Sequence, residues 1–250
     1  MLRYTMFLAC ILYGGYSLVK GELLLLEYAH NTDKFDYYHL LSGQDMILRP
    51  MREINQFFEE NSGKEFVHFD KQEKSEMRYE RIKYYMIFQD FIGKKRKTFF
   101  SISQKRLIIP IQKLLGVDRT KNSEWIFKSG SQWFSITDEL VSYVLKNKKK
   151  IKKVFNYTMC DEMFLQTIVY NSSFKDKLYD KDYDDSCLGN QRYIDWKRGT
   201  PYTFRNEDFE ELINSICLFA MKFNEKIDCK IIDRLLEYVN KEKMGIEKKR

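Results

Sequence analysis

Apolar residues recur every three to four positions in seven stretches of the chain, and this spacing predicts α-helices. The stretches are residues 18–30, 50–60, 101–117, 137–150, 161–170, 206–217 and 228–243. Residues 137–150 show the pattern most fully, because Thr137 is a suitable N-cap and two acidic residues follow it in the first turn. The helix at 101–117 is expected to close at Gly116.

Short apolar runs that stop at turn residues predict β-strands at residues 6–13, 35–41, 65–69 and 192–196. The run at 6–13 is too short to span a bilayer, so a buried strand is predicted there, with a targeting segment as the alternative. The order strand, turn, helix, strand, polar loop over residues 6–45 is typical of a βα unit in a parallel sheet. Residues 218–223 are predicted to form a compact turn.

Composition indicates a globular protein with a sizeable core. The 250 residues are 44% hydrophobic and 16% aromatic, which suits one large domain or two small ones. We predict a single domain over residues 1–243 and a frayed tail at 244–250. The net charge of +7 does not by itself indicate nucleic-acid binding. The basic cluster at 93–97 is interpreted as a solvated loop or helix end, with nucleic-acid binding as the alternative.

Five scattered cysteines without a Cys-x-x-Cys pair argue against a disulfide framework or a zinc site. They favour a reducing compartment, so we predict a cytoplasmic protein, with the inner face of a bacterial membrane as a candidate location. The lysine run at residues 146–153 is typical of a helix C-terminus, and contact with an anionic membrane surface is the alternative interpretation.

Two adjacent acids, Asp161 and Glu162, stand at the start of the helix predicted over 161–170. Asp161 is interpreted as the helix cap. Glu162 would then point away from the helix and be free to face a cleft. A single carboxylate within hydrogen-bond reach can remove the proton of a sugar hydroxyl, so Glu162 is the candidate base. The turn Gly130–Trp133 is expected to shape the wall beside it.

Candidate ligands for a nucleotide diphosphate are cations, because no convincing Asp-x-Asp metal motif follows a strand. Asp45 lacks a second carboxylate beside it, and the acidic stretch 180–185 is interpreted as a solvated loop. Arg192 and Lys222 could instead place fixed positive charges against the diphosphate. Trp133 and Trp196 could stack on a sugar, although aromatic residues near turns are more often core edges.

Six stretches of the sequence together resemble the core-2/I-branching family of glycosyltransferases. They are YGGYSLVKGELLLLEYA, FDYYHLLSGQDMIL, GSQWFSITDELVSYVL, CDEMFLQTIVYNSSF, RYIDW and EDFEELINSICLFAMKF. The resemblance implies a GT-A-like α/β fold with a central mixed sheet flanked by helices. It also implies inversion at the anomeric carbon and a UDP-sugar donor used without a metal. N-acetylglucosamine and xylose are the sugars that such enzymes transfer, to glycan or peptide hydroxyls.

Carried over residue by residue, the resemblance implies that Glu162 is the catalytic base and that Arg192 and Lys222 bind the donor diphosphate. The remaining pocket residues that it and the patterns above suggest are Tyr13, Asp45, Gly130, Ser131, Trp133, Asp161 and Trp196. No nucleic-acid partner is expected, and peripheral membrane contact is a candidate. Cys160 departs from the family pattern, since proline is usual before this Asp-Glu pair.

The family's first strand and its Ile-His-x-Asp-Lys-like segment have no counterpart in this sequence, so we expect an N-terminally incomplete fold. Two functions therefore stay open at this point. One is an active UDP-sugar transferase, and the other is a non-catalytic remnant that binds a glycan or a UDP-sugar.

Overall fold

A computed structural model describes residues 15–89, 99–183 and 186–247, and these residues form two compact units. The first unit comprises the described residues of Met1–Tyr38, Phe69–Gln132 and Ile136–Asp176. The second comprises those of His39–His68, Trp133–Ser135 and Lys177–Arg250. The predicted strand at 6–13, Tyr13 and the basic cluster at 93–97 lie outside the described residues. The single domain over 1–243 stays a prediction.

The described chain is of the mixed α/β class, with many helices and two small sheets. The helices are α1 (Tyr16–Thr32), α2 (Met51–Glu60), α3 (Gln72–Lys83), α4 (Phe99–Ser103), α5 (Ile109–Leu114), α6 (Asp138–Lys146), α7 (Lys148–Phe155), α8 (Phe164–Tyr170), α9 (Phe209–Ile213) and α10 (Cys229–Glu247). The strands are β1 (Tyr37–His39), β2 (Asp45–Ile47), β3 (Phe66–Val67), β4 (Phe134–Thr137), β5 (Arg192–Ile194) and β6 (Phe219–Met221). A π-helical turn, Gln104–Ile108, joins α4 to α5.

In the first unit, α1 packs on α6 and α7. The predicted cap of α6 is confirmed, because the Thr137 side chain accepts a hydrogen bond from the Leu140 amide at 3.3 Å. Leu140, Val141 and Val144 are fully buried, as the amphipathic pattern requires. The prediction of one helix over 137–150 is wrong, since Asn147 ends α6 and a second helix, α7, follows.

The lysine run therefore belongs mainly to α7 and not, as predicted, to the C-terminus of the preceding helix. This helix buries Ile151 and Phe155, and its lysines occupy the other faces. The apolar spacing of four residues between these two positions is one helical turn, so α7 is amphipathic in its own right.

In the second unit, β6 is the central strand of a mixed sheet with the order β2–β6–β5. It pairs antiparallel with β2 and parallel with β5. The predicted turn at 218–223 is wrong, because all three residues of β6 are buried in the sheet. The core below the sheet is apolar and consists of Leu48, Phe204, Leu212, Ala220, Phe223, Ile231 and Leu235.

The other sheet has the strand order β1–β4–β3. Within the second unit, Phe66 and Val67 pair antiparallel with Ser135 and Phe134. The Leu40 amide donates to the Phe134 carbonyl at 3.0 Å. Strand β4 directly follows the Gly130–Trp133 turn, so the pairing of β4 fixes the position at which that turn ends.

Among the helices of the described residues, none combines the length and apolarity needed to cross a lipid bilayer.

Candidate active site

Glu162 lies in a turn before α8, in the first unit. The amides of Met163 and Phe164 both donate to the Cys160 carbonyl at 2.9 Å, and α8 begins only at Phe164. Its N-cap residue, Met163, makes no side-chain cap hydrogen bond. The prediction that Asp161 caps a helix starting at 161 is therefore wrong, because the turn delays the helix by three residues.

Two arginines on α3 hold one oxygen of the Glu162 carboxylate. Oε2 lies 2.5 Å from Nη1 of Arg81 and 3.1 Å from Nη1 of Arg78. The arginines are three residues apart, so they project from the same face of the helix. The sequence predicted a free Glu162 side chain, but the structure shows it paired with both arginines. The side chain is 31% exposed. Its Oε1 has no hydrogen-bond partner among the described residues.

Arg78 is itself held from a second side. Its Nη1 lies 3.1 Å from the buried carboxylate of Asp70, which also accepts a 2.5 Å hydrogen bond from the Ser129 hydroxyl. Burial raises the pKa of Asp70, but hydrogen bonds from Lys74 and Ser129 and the charge of Arg78 outweigh it and lower that pKa. An ionised Asp70 therefore fixes Arg78 beside Glu162.

The glycine turn is joined to this carboxylate through the backbone. The Gly130 amide donates to the Glu162 carbonyl at 2.9 Å, and its carbonyl accepts from Arg78 at 3.1 Å. The Ser131 carbonyl accepts from Nε2 of Gln166 at 2.7 Å. The structure thus joins Gly130 to Glu162 and Ser131 to Gln166 of α8.

Two buried carboxyl groups, Asp161 and Glu22, lie in the same unit as Glu162. Burial raises the pKa of Asp161 to about 6, with a further increase from the Glu162 charge and an opposing effect of Arg81. Burial raises the pKa of Glu22, on α1, to about 8, although a hydrogen bond from Gln132 opposes the shift. The pKa of Glu22 means that this carboxyl is mostly protonated at pH 7.

Arg192 begins β5 in the second unit, and only 2% of it is exposed. Its guanidinium donates at 2.8 Å to the Ser135 hydroxyl and at 2.8 Å to the Phe134 carbonyl. It also lies over the ring of Phe219, 4.5 Å from the centroid. Burial lowers the pKa of Arg192 to about 9, and the Asp45 charge opposes this.

Asp45 and Trp133 accompany Arg192 in the second unit. Asp45 is the first residue of β2, not part of a polar loop, because its backbone pairs opposite Met221. Its carboxylate accepts from the Ser42 amide and, at 3.2 Å, from Nε1 of Trp133. Burial raises the pKa of Asp45, against hydrogen bonds from Ser42 and the charge of Arg192.

Lys222 directly follows β6, and its carbonyl accepts from the Phe204 amide at 2.9 Å. Its ammonium group forms no ion pair with any residue that the structure describes. Trp196 lies two residues beyond β5 and is 61% exposed. The second unit therefore holds a buried cation, an unpaired cation and an exposed tryptophan among the predicted site residues.

Residues 9–216 of the 250 match the Core-2/I-branching enzyme family. The chain belongs to this family. A comparison with curated proteins finds no match. Membership in this family of glycosyltransferases implies a sugar donor and an acceptor as substrates. The range matched by the core-2/I-branching family contains Glu162 and Arg192, whereas Lys222 follows it.

Three residues around the carboxylate of this core-2/I-branching family member were missed from sequence: Glu22, Arg78 and Arg81. Glu22 was detectable as an acid directly before the apolar run LLLL, and the arginines as like charges at helical spacing in MRYERIK. Nothing in the pattern, however, connected α3 to Glu162, which is 81 positions away from Arg81. Within the described ranges, no three His, Cys, Asp or Glu side chains gather as metal ligands.

Proposed function

We propose that the chain is an inverting glycosyltransferase with a GT-A-like fold that transfers N-acetylglucosamine or xylose from a UDP-sugar to a glycan or peptide hydroxyl. The arrangement of Glu162 carries this proposal. One carboxylate oxygen is held by two arginines, and the other has no partner among the described residues. A general base needs a fixed position and an accessible acceptor atom, and this arrangement provides both.

In the proposed reaction, Oε1 of Glu162 accepts the proton of the acceptor hydroxyl. The hydroxyl oxygen forms a bond to the anomeric carbon from the face opposite the diphosphate. The bond between that carbon and the diphosphate oxygen breaks, and UDP leaves with the electron pair.

The leaving diphosphate requires positive charge. We assign it to Lys222, by direct contact with its unpaired ammonium group, and to Arg192. With two fixed cations, no metal is required for the transfer. We further propose that the donor and acceptor pocket includes Tyr13, Asp45, Gly130, Ser131, Trp133, Asp161 and Trp196.

The central experiment is Glu162→Gln, which keeps the shape of the side chain and removes its basicity. With UDP-N-acetylglucosamine and UDP-xylose as donors, we expect turnover to fall by a factor of about 10² to 10⁴. UDP affinity, measured by calorimetry, should stay within about threefold. Retention of the wild-type rate by Glu162→Gln would show that another group is the base.

Metal independence is tested by treating the active protein with EDTA. We expect no loss of transfer, because Lys222 and Arg192 replace the metal in this proposal. Loss of transfer in EDTA that manganese restores would contradict the assignment of the diphosphate charge to the two cations.

The second candidate is a non-catalytic protein that binds a glycan or a UDP-sugar. The burial of Arg192 favours it, because protein oxygen atoms already occupy both Nη atoms of the guanidinium. Calorimetry with UDP-sugars, run beside the transfer assay, separates the two. Binding without turnover supports the second candidate, and binding with turnover supports the first.

A further inference from the structure

The helical segment from Phe99 to Leu115 in the first unit has its polar residues inside and its apolar residues outside. It consists of α4, the π-helical turn and α5. The buried side chains are Ser101, Gln104 and Gln112. The large apolar residues that are exposed are Phe99, Phe100, Ile102, Leu107, Ile111, Leu114 and Leu115, and Leu114 reaches 88% exposure. An ordinary surface helix shows the opposite distribution.

The buried glutamines explain how the segment is attached. Gln112 accepts from the Tyr85 amide at 2.8 Å and donates to the Tyr85 carbonyl at 3.0 Å. Gln104 accepts from the Phe88 amide at 2.9 Å. The segment thus docks by satisfying backbone polar groups, and its apolar side chains are left facing away from the unit. Seven large apolar side chains exposed on one short segment are typical of an interaction site.

The same surface is basic. Residues 99–117 contain Lys105, Arg106 and Lys113 and no acidic residue. Lys105 and Arg106 form no ion pair with the described residues, and Lys113 reaches Glu80 at 3.4 Å. Apolar side chains together with basic ones are the features of a helix that lies in the interface of an anionic membrane.

A basic pocket of about 440 Å³ adjoins this segment. Tyr85, which Gln112 holds, lines it, and the guanidinium of Arg119 lies 4.5 Å from the centroid of the Tyr85 ring. Nη1 of Arg119 is buried without a hydrogen-bond partner among the described residues. Three exposed lysines of α7 also line it, Lys149, Lys152 and Lys153, next to Asn156 and Tyr157. None of them forms an ion pair within the described chain.

We propose that the segment Phe99–Leu115 and the adjoining pocket form a membrane-docking face, which binds a surface of anionic lipids. The apolar side chains enter the interface, and the pocket takes the phosphate of a lipid headgroup. A second copy of the chain is a poorer occupant. In a two-fold dimer the face would meet itself and bring like charges together, with no acid in residues 99–117 to offset them.

The test is co-sedimentation of the purified full chain with vesicles. One set of vesicles contains only phosphatidylcholine, and the other contains added phosphatidylglycerol. We expect binding to the anionic vesicles to be at least about tenfold stronger, and to weaken as salt is raised. Equal binding to both sets, or binding to neither, overturns the proposal.

Two double variants separate the apolar and the basic contributions. Leu114→Ser with Leu115→Ser, and Lys152→Glu with Lys153→Glu, should each reduce binding to anionic vesicles by at least about tenfold. The matched controls replace exposed residues away from the proposed face. They are Ile216→Ser with Ile227→Ser in the second unit, and Lys175→Glu of the first unit with Lys226→Glu of the second. The controls should bind as the wild type does. Equal losses in variants and controls would contradict the assigned face.

Self-association is measured on the same proteins without lipid, by analytical ultracentrifugation. A wild-type dimer that Leu114→Ser with Leu115→Ser converts to a monomer overturns the proposal in favour of a second copy. A wild-type monomer without lipid, with anionic vesicle binding that this variant loses, supports it. The readout needs no transfer activity, so it is independent of the proposed reaction.

Discussion

The buried carboxyl groups of the first unit and the buried guanidinium of the second respond to burial in different ways. Burial raises the pKa of Glu22 to about 8, so this group gives up its charge near neutral pH. Burial lowers the pKa of Arg192 only to about 9, so its charge persists. Protein oxygen atoms accept hydrogen bonds from both Nη atoms of the guanidinium. Nε of Arg192 and Oε2 of Glu22 are each buried without a hydrogen-bond partner in the described residues.

The comparison shows that the buried carboxyl responds to burial by taking up a proton, whereas the buried guanidinium stays charged and is compensated by oxygen acceptors at both Nη atoms. Glu162 lies between these cases. It is partly exposed, and two arginines contact one of its carboxylate oxygens. Of the three groups, it is the one whose surroundings suit a proton acceptor during catalysis.

The largest effect is expected on replacing Arg192 by leucine. The substitution leaves the Asp45 carboxylate and the surrounding carbonyl oxygens buried without their cation, so the free energy of unfolding should fall by about 3–5 kcal/mol. Urea denaturation measures this. Lys222→Met, which removes an unpaired cation, is the control and should change stability by less than about 0.5 kcal/mol. A loss below about 1 kcal/mol for Arg192→Leu would show that its burial is not structurally required.

A smaller effect, and one that depends on pH, is expected at Glu22. The pKa of Glu22 is raised from an ordinary value of 4.5 to about 8 in the folded chain. Between pH 4.5 and 8 the folded state therefore keeps a proton that the unfolded state has released. As a result, the free energy of unfolding falls as pH rises through this window. Between pH 5 and 8 the contribution of Glu22 should amount to about 3 kcal/mol.

Glu22→Gln should remove this pH dependence, because an amide keeps the shape of the neutral carboxyl and does not titrate. Urea unfolding at several pH values is the measurement, and Glu27→Gln, at a partly exposed position on the same helix, is the control. If the variant and the wild type lose stability in parallel between pH 5 and 8, another group is responsible.

The fold features that the sequence predicted are those with a local cause. The Thr137 cap and the buried stripe of α6 depend on residues within two helical turns. Strand β6 was mistaken for a turn because a strand buried on both faces shows no alternation, and CLFAM is a short continuous apolar run. Its position at the centre of a sheet follows from pairing with distant strands.

The candidate site shows the same limit. The acid Glu162 and the cations Arg192 and Lys222 were recognisable by residue type and family pattern. Their surroundings were not, because the partners of Glu162 come from α3, far along the chain, and the burial of Arg192 depends on β4. Contacts between residues distant in sequence decide whether a charge is accessible, and a single sequence does not specify them.

Lys222 should affect activity more than stability. We expect Lys222→Met to lower kcat/KM by about 10- to 100-fold, because the unpaired ammonium is proposed to neutralise the leaving diphosphate. Steady-state kinetics with a UDP-sugar, and calorimetry with UDP, should both report the loss. Lys226→Met, an exposed lysine in the same loop, serves as the control. A normal kcat/KM for Lys222→Met would remove this residue from the donor site.

The smallest effect is expected at Arg81. Arg81→Gln leaves Arg78 in contact with Oε2 of Glu162, so the carboxylate keeps one of its two cations and loses part of its fixed orientation. We expect kcat to fall by about tenfold with UDP affinity unchanged, because the contact serves the base rather than the donor. Arg81→Lys should recover much of the rate, because it restores the charge. The control is Arg106→Gln, which changes an exposed residue without an ion pair in the described chain and should have none of these effects. A fall in UDP affinity that matches the fall in kcat would instead place Arg81 in donor binding and weaken the assignment of Glu162 as the base that it positions.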